Sequence, residues 1–161
     1  LQTLLETDSR LGLVIAGHLS LDSDFKKLVI LLDQHLAVLD GEDHAFYSQF
    51  DTLDNIKNVV VCYHESVAIG CGSFKEYNSN TVEIKRMFVH PDFRGKGIAS
   101  ILLKELENWA SEFNYTACVL ETGKNNPTAI RLYEKSGYQI IPNYDQYENV
   151  PTSVCMKKLI I

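Results

Sequence analysis

Cysteine pairs at metal-binding spacing are missing from this chain. Its four cysteines, Cys62, Cys71, Cys118 and Cys155, stand far apart, so there is neither a C-x-x-C zinc motif nor the density of a disulfide scaffold. All four fall in runs that read as strands, which predicts buried free thiols and no metal. A cysteine nucleophile would need a histidine brought close by the fold, and no local signature suggests one. Positive charge is also in short supply: 15 Lys and Arg face 21 Asp and Glu, a formal net charge of −6. Such a balance repels a polyanion, so no nucleic acid is expected as partner. Long apolar runs are lacking too. The run Leu11 to Ala16 is too short for a bilayer span or a signal-peptide core, which predicts a cytoplasmic protein with no membrane partner. No functional weight falls on the first ten residues.

What is present describes a packed protein. Hydrophobic residues make up 45% of 161 residues, enough for residues 1–161 to form one domain that buries roughly two-thirds of its unfolded surface. Leu13 to Ala16 reads as a strand. Ser23 is a plausible cap for an amphipathic helix carrying Phe25, Leu28, Val29, Leu32, Leu36 and Leu39, with Gly41 as its stop. His44 to Asn55 suits a second, short helix. Val59 to Tyr63, Val67 to Phe74 and Thr81 to Val89 read as three successive antiparallel strands joined by turns at 64–66 and 78–80.

After Pro91, Ile98, Leu102, Leu106, Trp109 and Phe113 recur at helical spacing, with Lys104, Glu107 and Ser111 on the opposite side. Ala117 to Leu120 is a short strand. Asn126-Pro127 opens a further helix that Gly137 ends, and Tyr138 to Ile141 and Val154 to Ile160 close the chain as strands. The order predicts an α/β fold with a mixed sheet and helices on its faces.

Chemistry concentrates between the third antiparallel strand and the helix after it, in Val89-His90-Pro91-Asp92-Phe93-Arg94-Gly95-Lys96-Gly97-Ile98-Ala99. Glycines there allow close backbone approach, and the unpaired amides of a helix start form an anion site that Arg94 and Lys96 reinforce. A diphosphate fits such a site. Neither the P-loop pattern nor the dinucleotide G-x-G-x-x-G pattern is present.

Arg94-Gly95-Lys96-Gly97-Ile98-Ala99 resembles the R/Q-x-x-G-x-G/A signature of GNAT acetyltransferases, and Met87-Phe88-Val89-His90-Pro91 before it resembles that family's strand ending. A second block, Asn126 to Tyr138, resembles N-x-x-A-x-x-L-Y-x-x-x-G-F/Y, with Tyr138 in place of the commoner Phe. The likeness covers about residues 59–161, while the first fifty residues match in layout alone.

The resemblance implies a central mixed, mostly antiparallel sheet of six to seven strands with helices on both faces, splayed between its fourth and fifth strands to admit a pantetheine arm. It implies acetyl-CoA as cosubstrate, with the amides of Arg94, Gly95, Lys96, Gly97, Ile98, Ala99 and Ser100 on the pyrophosphate. Main-chain groups of Met87, Phe88 and Val89 would meet the pantetheine as an edge strand meets an added strand. Asn126 would cap its own helix, contact the cofactor, or both. Tyr133 stands where many relatives keep the acid that protonates the departing thiolate, and a core aromatic is its alternative reading. Glu83 stands where some relatives carry a general base, and a strand carboxylate facing Lys85 or solvent is the alternative there. His90 is read as structural.

The acceptor would be a small-molecule or peptide amine. Asp40, Glu42, Asp43, Asp51 and Asp54 lie without a Lys or Arg among them, so a cationic acceptor would be attracted, unless the stretch is simply solvated. Tyr144 and Tyr147 could form an aromatic wall. Relatives often dimerise, which leaves a homodimer open. A non-catalytic acyl-CoA-binding sensor or partner module of the same fold is the competing function, and a nucleotide-binding protein using the basic glycine loop is a third.

Overall fold

The computed structural model describes residues 2–8, 12–18, 22–43, 56 and 58–161. The helix expected over His44 to Asn55 lies outside the described residues. In chain order the elements are β1 (Gln2–Asp8), β2 (Leu13–His18), α1 (Ser23–Asp40), β3 (Asn58–His64), β4 (Val67–Asn78), β5 (Thr81–Val89), α2 (Ile98–Glu112), β6 (Ala117–Gly123), α3 (Pro127–Lys135), β7 (Gln139–Ile141) and β8 (Ser153–Leu159). They build one mixed sheet in the order β1-β2-β3-β4-β5-β6-β8-β7. Its class is the one expected. β1, within the stretch given no weight above, adds an eighth strand at one edge.

β3 shows why helices cover both faces. Val59 and Val61 point into one core with Phe25, Leu28, Val29 and Leu32 of α1. Val60 and Cys62, the alternate residues, point into the other with Leu102, Leu103, Leu106 and Trp109 of α2. A period of two thus serves two helices, each buried Leu being worth roughly 1.5–3 kcal/mol. Among the described residues no helix is long and apolar enough to cross a membrane.

Two local expectations need correction. The cap of α1 is Asp22, whose Oδ1 accepts the amides of Asp24 at 2.8 Å and Phe25 at 3.2 Å; Ser23 is the first helical residue. A carboxylate one position earlier reaches both amides and also opposes the helix dipole. Glu107 is not on a solvent face: it is 3% exposed, and Lys158 of β8 donates to its Oε2 at 2.8 Å. An ion pair across the helix–sheet interface offsets the cost of burying that carboxylate.

The feature that positions the site is the junction of β5 and β6, the parallel pair of the sheet. They pair only over Thr81↔Ala117, Val82↔Cys118 and Glu83↔Val119. Beyond Glu83 the strands part, leaving residues 84–89 of β5 and 120–123 of β6 unpaired with each other. The splay anticipated from the family resemblance is therefore present.

Candidate active site

The gap between the diverging strands opens into a cleft of about 700 Å³. One wall is β5 and the C-terminal half of α1; the other is the end of β6 and the start of α3. From Glu83 to Val89 the strand runs about 20 Å at roughly 3.3 Å per residue, so the cleft suits an extended ligand.

A β-bulge bends this wall. Cys71 faces Phe88 and Ser73 faces Lys85, so Arg86 and Met87 together oppose Gly72, and Arg86 takes a left-handed φ of +59°. Met87 then leans across the sheet: a Cβ on Gly72 would stand 2.5 Å from its sulfur and 2.8 Å from Leu106. Only glycine leaves that space. The bulge also sends the Arg86 guanidinium to Asp33 of α1 at 2.7 Å, tying strand to helix. It breaks the plain alternation expected for β5. Met87 packs in the core of Val82 and Ile84, whereas Glu83 faces the opposite side with its cross-strand partner Lys75, so Glu83 and Met87 do not share a face.

At the other end of β5 the predicted anion loop is formed. Gly95 and Gly97 have φ of +78° and +80°, and Gly97 caps α2 with no side-chain hydrogen bond. The first-turn amides of α2 thus face the cleft mouth without a side-chain competitor, and the first turn carries no acidic residue. Arg94 is held in place, its Nε donating to the Val89 carbonyl at 2.9 Å while its guanidinium lies 5.5 Å from the Phe88 ring centre. Lys96 stands 5.3 Å over Phe93. His90 accepts the Asp92 amide at Nδ1, 3.2 Å away, which is a structural cap of the turn at Pro91–Phe93.

Across the cleft, Asn126 caps α3 by accepting the Ala129 amide at 3.2 Å, and it also lines the cleft. Tyr133, one helical face further on, is buried against Tyr138 with ring centres 5.8 Å apart and lines the same space. Burial, and after it the Glu121 carboxylate, pushes its phenol well above the usual tyrosine range. It stays protonated at neutral pH, as a proton donor must.

Glu83 is 4% exposed and fully engaged. Its Oε1 lies 3.7 Å from both Lys75 and Lys85, and Tyr144 donates to its Oε2 at 2.7 Å. Tyr144 in turn sits between Tyr77 at 5.1 Å and Tyr147 at 6.0 Å, and of the two tyrosines considered for an aromatic wall Tyr147 lines the cleft. The half-buried Tyr144 phenol is likewise pushed far up, by desolvation and then by the Glu83 carboxylate, and stays neutral.

Three contributions went unread in the sequence. His35 of α1 lines the cleft, its pKa lowered by burial and then by Arg94; a histidine interrupting the Leu32–Leu36–Leu39 stripe was the signal. Glu121 reaches the cleft from the end of β6, past the four residues expected for that strand. Asn125 donates from its side chain to the Leu39 carbonyl and to Asp40, joining the end of α1 to the loop before α3. Asp40 of the acidic stretch is therefore engaged, Glu42 is exposed, and Asp51, Asp54 and the side chain of Asp43 lie outside the described residues. The four cysteines are buried and free. Burial raises Cys62 and Cys155 to about 11 and Cys71 and Cys118 to about 12, so none is a thiolate at neutral pH. Among the described residues no cluster of metal ligands gathers.

Known proteins resemble this chain in sequence and fold. The profile of the "Acetyltransferase (GNAT) family" matches residues 28–138. An IAA acetyltransferase of Azospirillum brasilense is 30% identical over 149 residues, 91% of this chain and 97% of that protein. A Klebsiella pneumoniae structure solved as a candidate acyl-CoA N-acyltransferase superposes with a TM-score of 0.76 at 26% identity, over 92% of this chain and 98% of that one. A GNAT family acetyltransferase from Elizabethkingia anophelis, solved with acetyl-CoA bound, shares the fold with a TM-score of 0.68 at 21% identity, over 92% and 98% of the two chains.

Proposed function

The chain belongs to the GNAT acetyltransferase family and is an acyltransferase, and from that premise we propose that it moves the acetyl group of acetyl-CoA to a primary amine by direct attack within the splayed cleft. The observation that carries this reading is the parting of β5 from β6 beyond Glu83, with a side-chain-free helix start at one end and a buried tyrosine lining the same cleft. An extended arm can lie along the unpaired edge of β5 as an added strand, through main-chain groups of Met87 to Val89. Its diphosphate then meets the amides of Arg94 to Ser100, with the Arg94 charge close by. Asn126 adds a cleft-facing amide beside its capping role.

In the reaction the amine nitrogen donates its lone pair to the thioester carbonyl carbon. The oxyanion that forms is stabilised by a main-chain amide at the bulge. The carbon–sulfur bond breaks, the sulfur takes the Tyr133 phenolic proton, and the amine proton leaves toward Glu83, directly or through water. The products are the N-acetylated amine and free coenzyme A, and Tyr133 is reprotonated from solvent. Glu83 is anchored by two lysines and Tyr144, which favours a role in collecting and orienting the amine together with the relay of its proton.

Tyr133→Phe tests the assignment. It keeps the ring against Tyr138 and removes the proton, so turnover should fall by roughly 10²- to 10⁴-fold with acetyl-CoA affinity little changed, read by thiol release and calorimetry. Retained turnover would reduce Tyr133 to packing. Thiol release that no amine stimulates, with acetyl-CoA bound, would favour the non-catalytic binding module.

A further inference from the structure

The charges around Glu83 do not balance. Lys75 and Lys85 share one carboxylate oxygen at 3.7 Å each, and the hydroxyl on the other oxygen belongs to Tyr144, a neutral phenol. Within ion-pair reach the three charged groups sum to one excess positive charge. This is not a solvated surface, since the Lys85 side chain is 9% exposed and that of Glu83 5%. Nearby Arg86 already has Asp33 at 2.7 Å, and the Glu121 carboxylate, to which Ser153 donates at 2.9 Å, belongs to the β6 wall of the cleft and makes no ion pair with either lysine within 4 Å. A lysine side chain with nine-tenths of its surface removed from water calls for more counter-charge than half a carboxylate. Glu83 and Lys85 both line the cleft, so that counter-charge can arrive with a substrate.

The spacing says what kind of substrate. An anion and a cation 3.7 Å apart form a dipole that an opposite dipole of the same size would complement. In an α-amino acid the ammonium and the carboxylate are held on one carbon, which is that size. We propose that Glu83 and Lys85, with Lys75 paired to Glu83 from β4, form an acceptor subsite for an amine with a carboxylate beside it: Glu83 collects the ammonium and begins its deprotonation, and Lys85 holds the carboxylate. The inference rests on the amine-transfer reading above and gives it a substrate class. It reverses the expectation of a cationic acceptor. That expectation came from an acidic stretch in which, among the described residues, Asp40 is already bound to Asn125.

The test is an acceptor panel with acetyl-CoA, scored by thiol release: L-amino acids, each beside its own carboxamide and an alkylamine of matching size, with rates referred to the concentration of neutral amine. Amino acids should exceed their carboxamides in kcat/KM by roughly ten- to a hundred-fold, the range of a hydrogen-bonded charge pair. Lys85→Met should erase most of that gap by raising the acceptor KM, leaving the KM for acetyl-CoA in place, and Lys85→Arg should restore part of it. Carboxamides or alkylamines performing as well as the amino acids would overturn the subsite while leaving amine acetylation standing. Absence of turnover with every amine would overturn both. Should Lys85→Met fail to fold by circular dichroism, the wild-type comparison alone decides.

Discussion

At Gly97 the backbone stands at φ +80°, and a Cβ there would meet nothing within 4 Å. Space is available, so what makes glycine necessary is the left-handed conformation, which costs other residues about 1–2 kcal/mol. Gly97→Val should therefore leave the fold intact by circular dichroism while turning the first-turn amides of α2 off the anion. Acetyl-CoA affinity in calorimetry should drop by at least ~10-fold; unchanged affinity would move the diphosphate elsewhere. The same residue shows what is legible in a sequence. Gly95 and Gly97 announce themselves because few other residues tolerate positive φ. Arg86 does so as well, at +59°, yet no side-chain type signals it, because the bulge is imposed by pairing with β4 and by the reach to Asp33. Plain alternation along residues 81–89 would put Glu83 and Met87 on one face, and the folded strand separates them.

The elements were mostly legible where one periodicity governs them. α2 and α3 begin where Gly97 and Asn126-Pro127 predict, and the strands shift only by a residue or a few at their ends. What could not be read is partnership across elements: the burial of Glu107 by a lysine of β8, or Asn125 bridging to α1. Asn126 allows an element-scale test, because its two roles separate. Asn126→Ala removes the cap on Ala129 and should lower stability by about 1 kcal/mol in urea unfolding. Asn126→Ser keeps the cap and should restore it. If acetyl-CoA affinity falls equally in both while only the alanine variant is destabilised, the amide contacts the cosubstrate as well. Unchanged affinity in both would leave capping as its one role.

For the whole molecule, the buried thiols and phenols make stability depend on pH on the alkaline side. Burial raises Cys62 and Cys155 to about 11 and Cys71 and Cys118 to about 12, against roughly 8.5 in an unfolded chain. The native state then holds protons that the unfolded chain has lost, so unfolding is favoured as pH rises. Each such group contributes stability that is complete below its unfolded pKa and is lost toward the folded one, at about 1.4 kcal/mol per pH unit. The urea midpoint should be level from pH 7 to 8 and decline from about pH 9 upward; a midpoint level to pH 11 would show that water reaches these thiols. The sheet carries a further consequence for the folded protein. From β1 to β5 every strand lies beside its sequence neighbour, a zipper that can close in chain order, while β6, β8 and β7 join it through three parallel residue pairs. That seam is the natural fault line of the molecule. A ligand laid along it, as proposed for acetyl-CoA, would act as a splint: the substrate consumed would also complete the sheet, and each turnover would end by returning the protein to its less braced form.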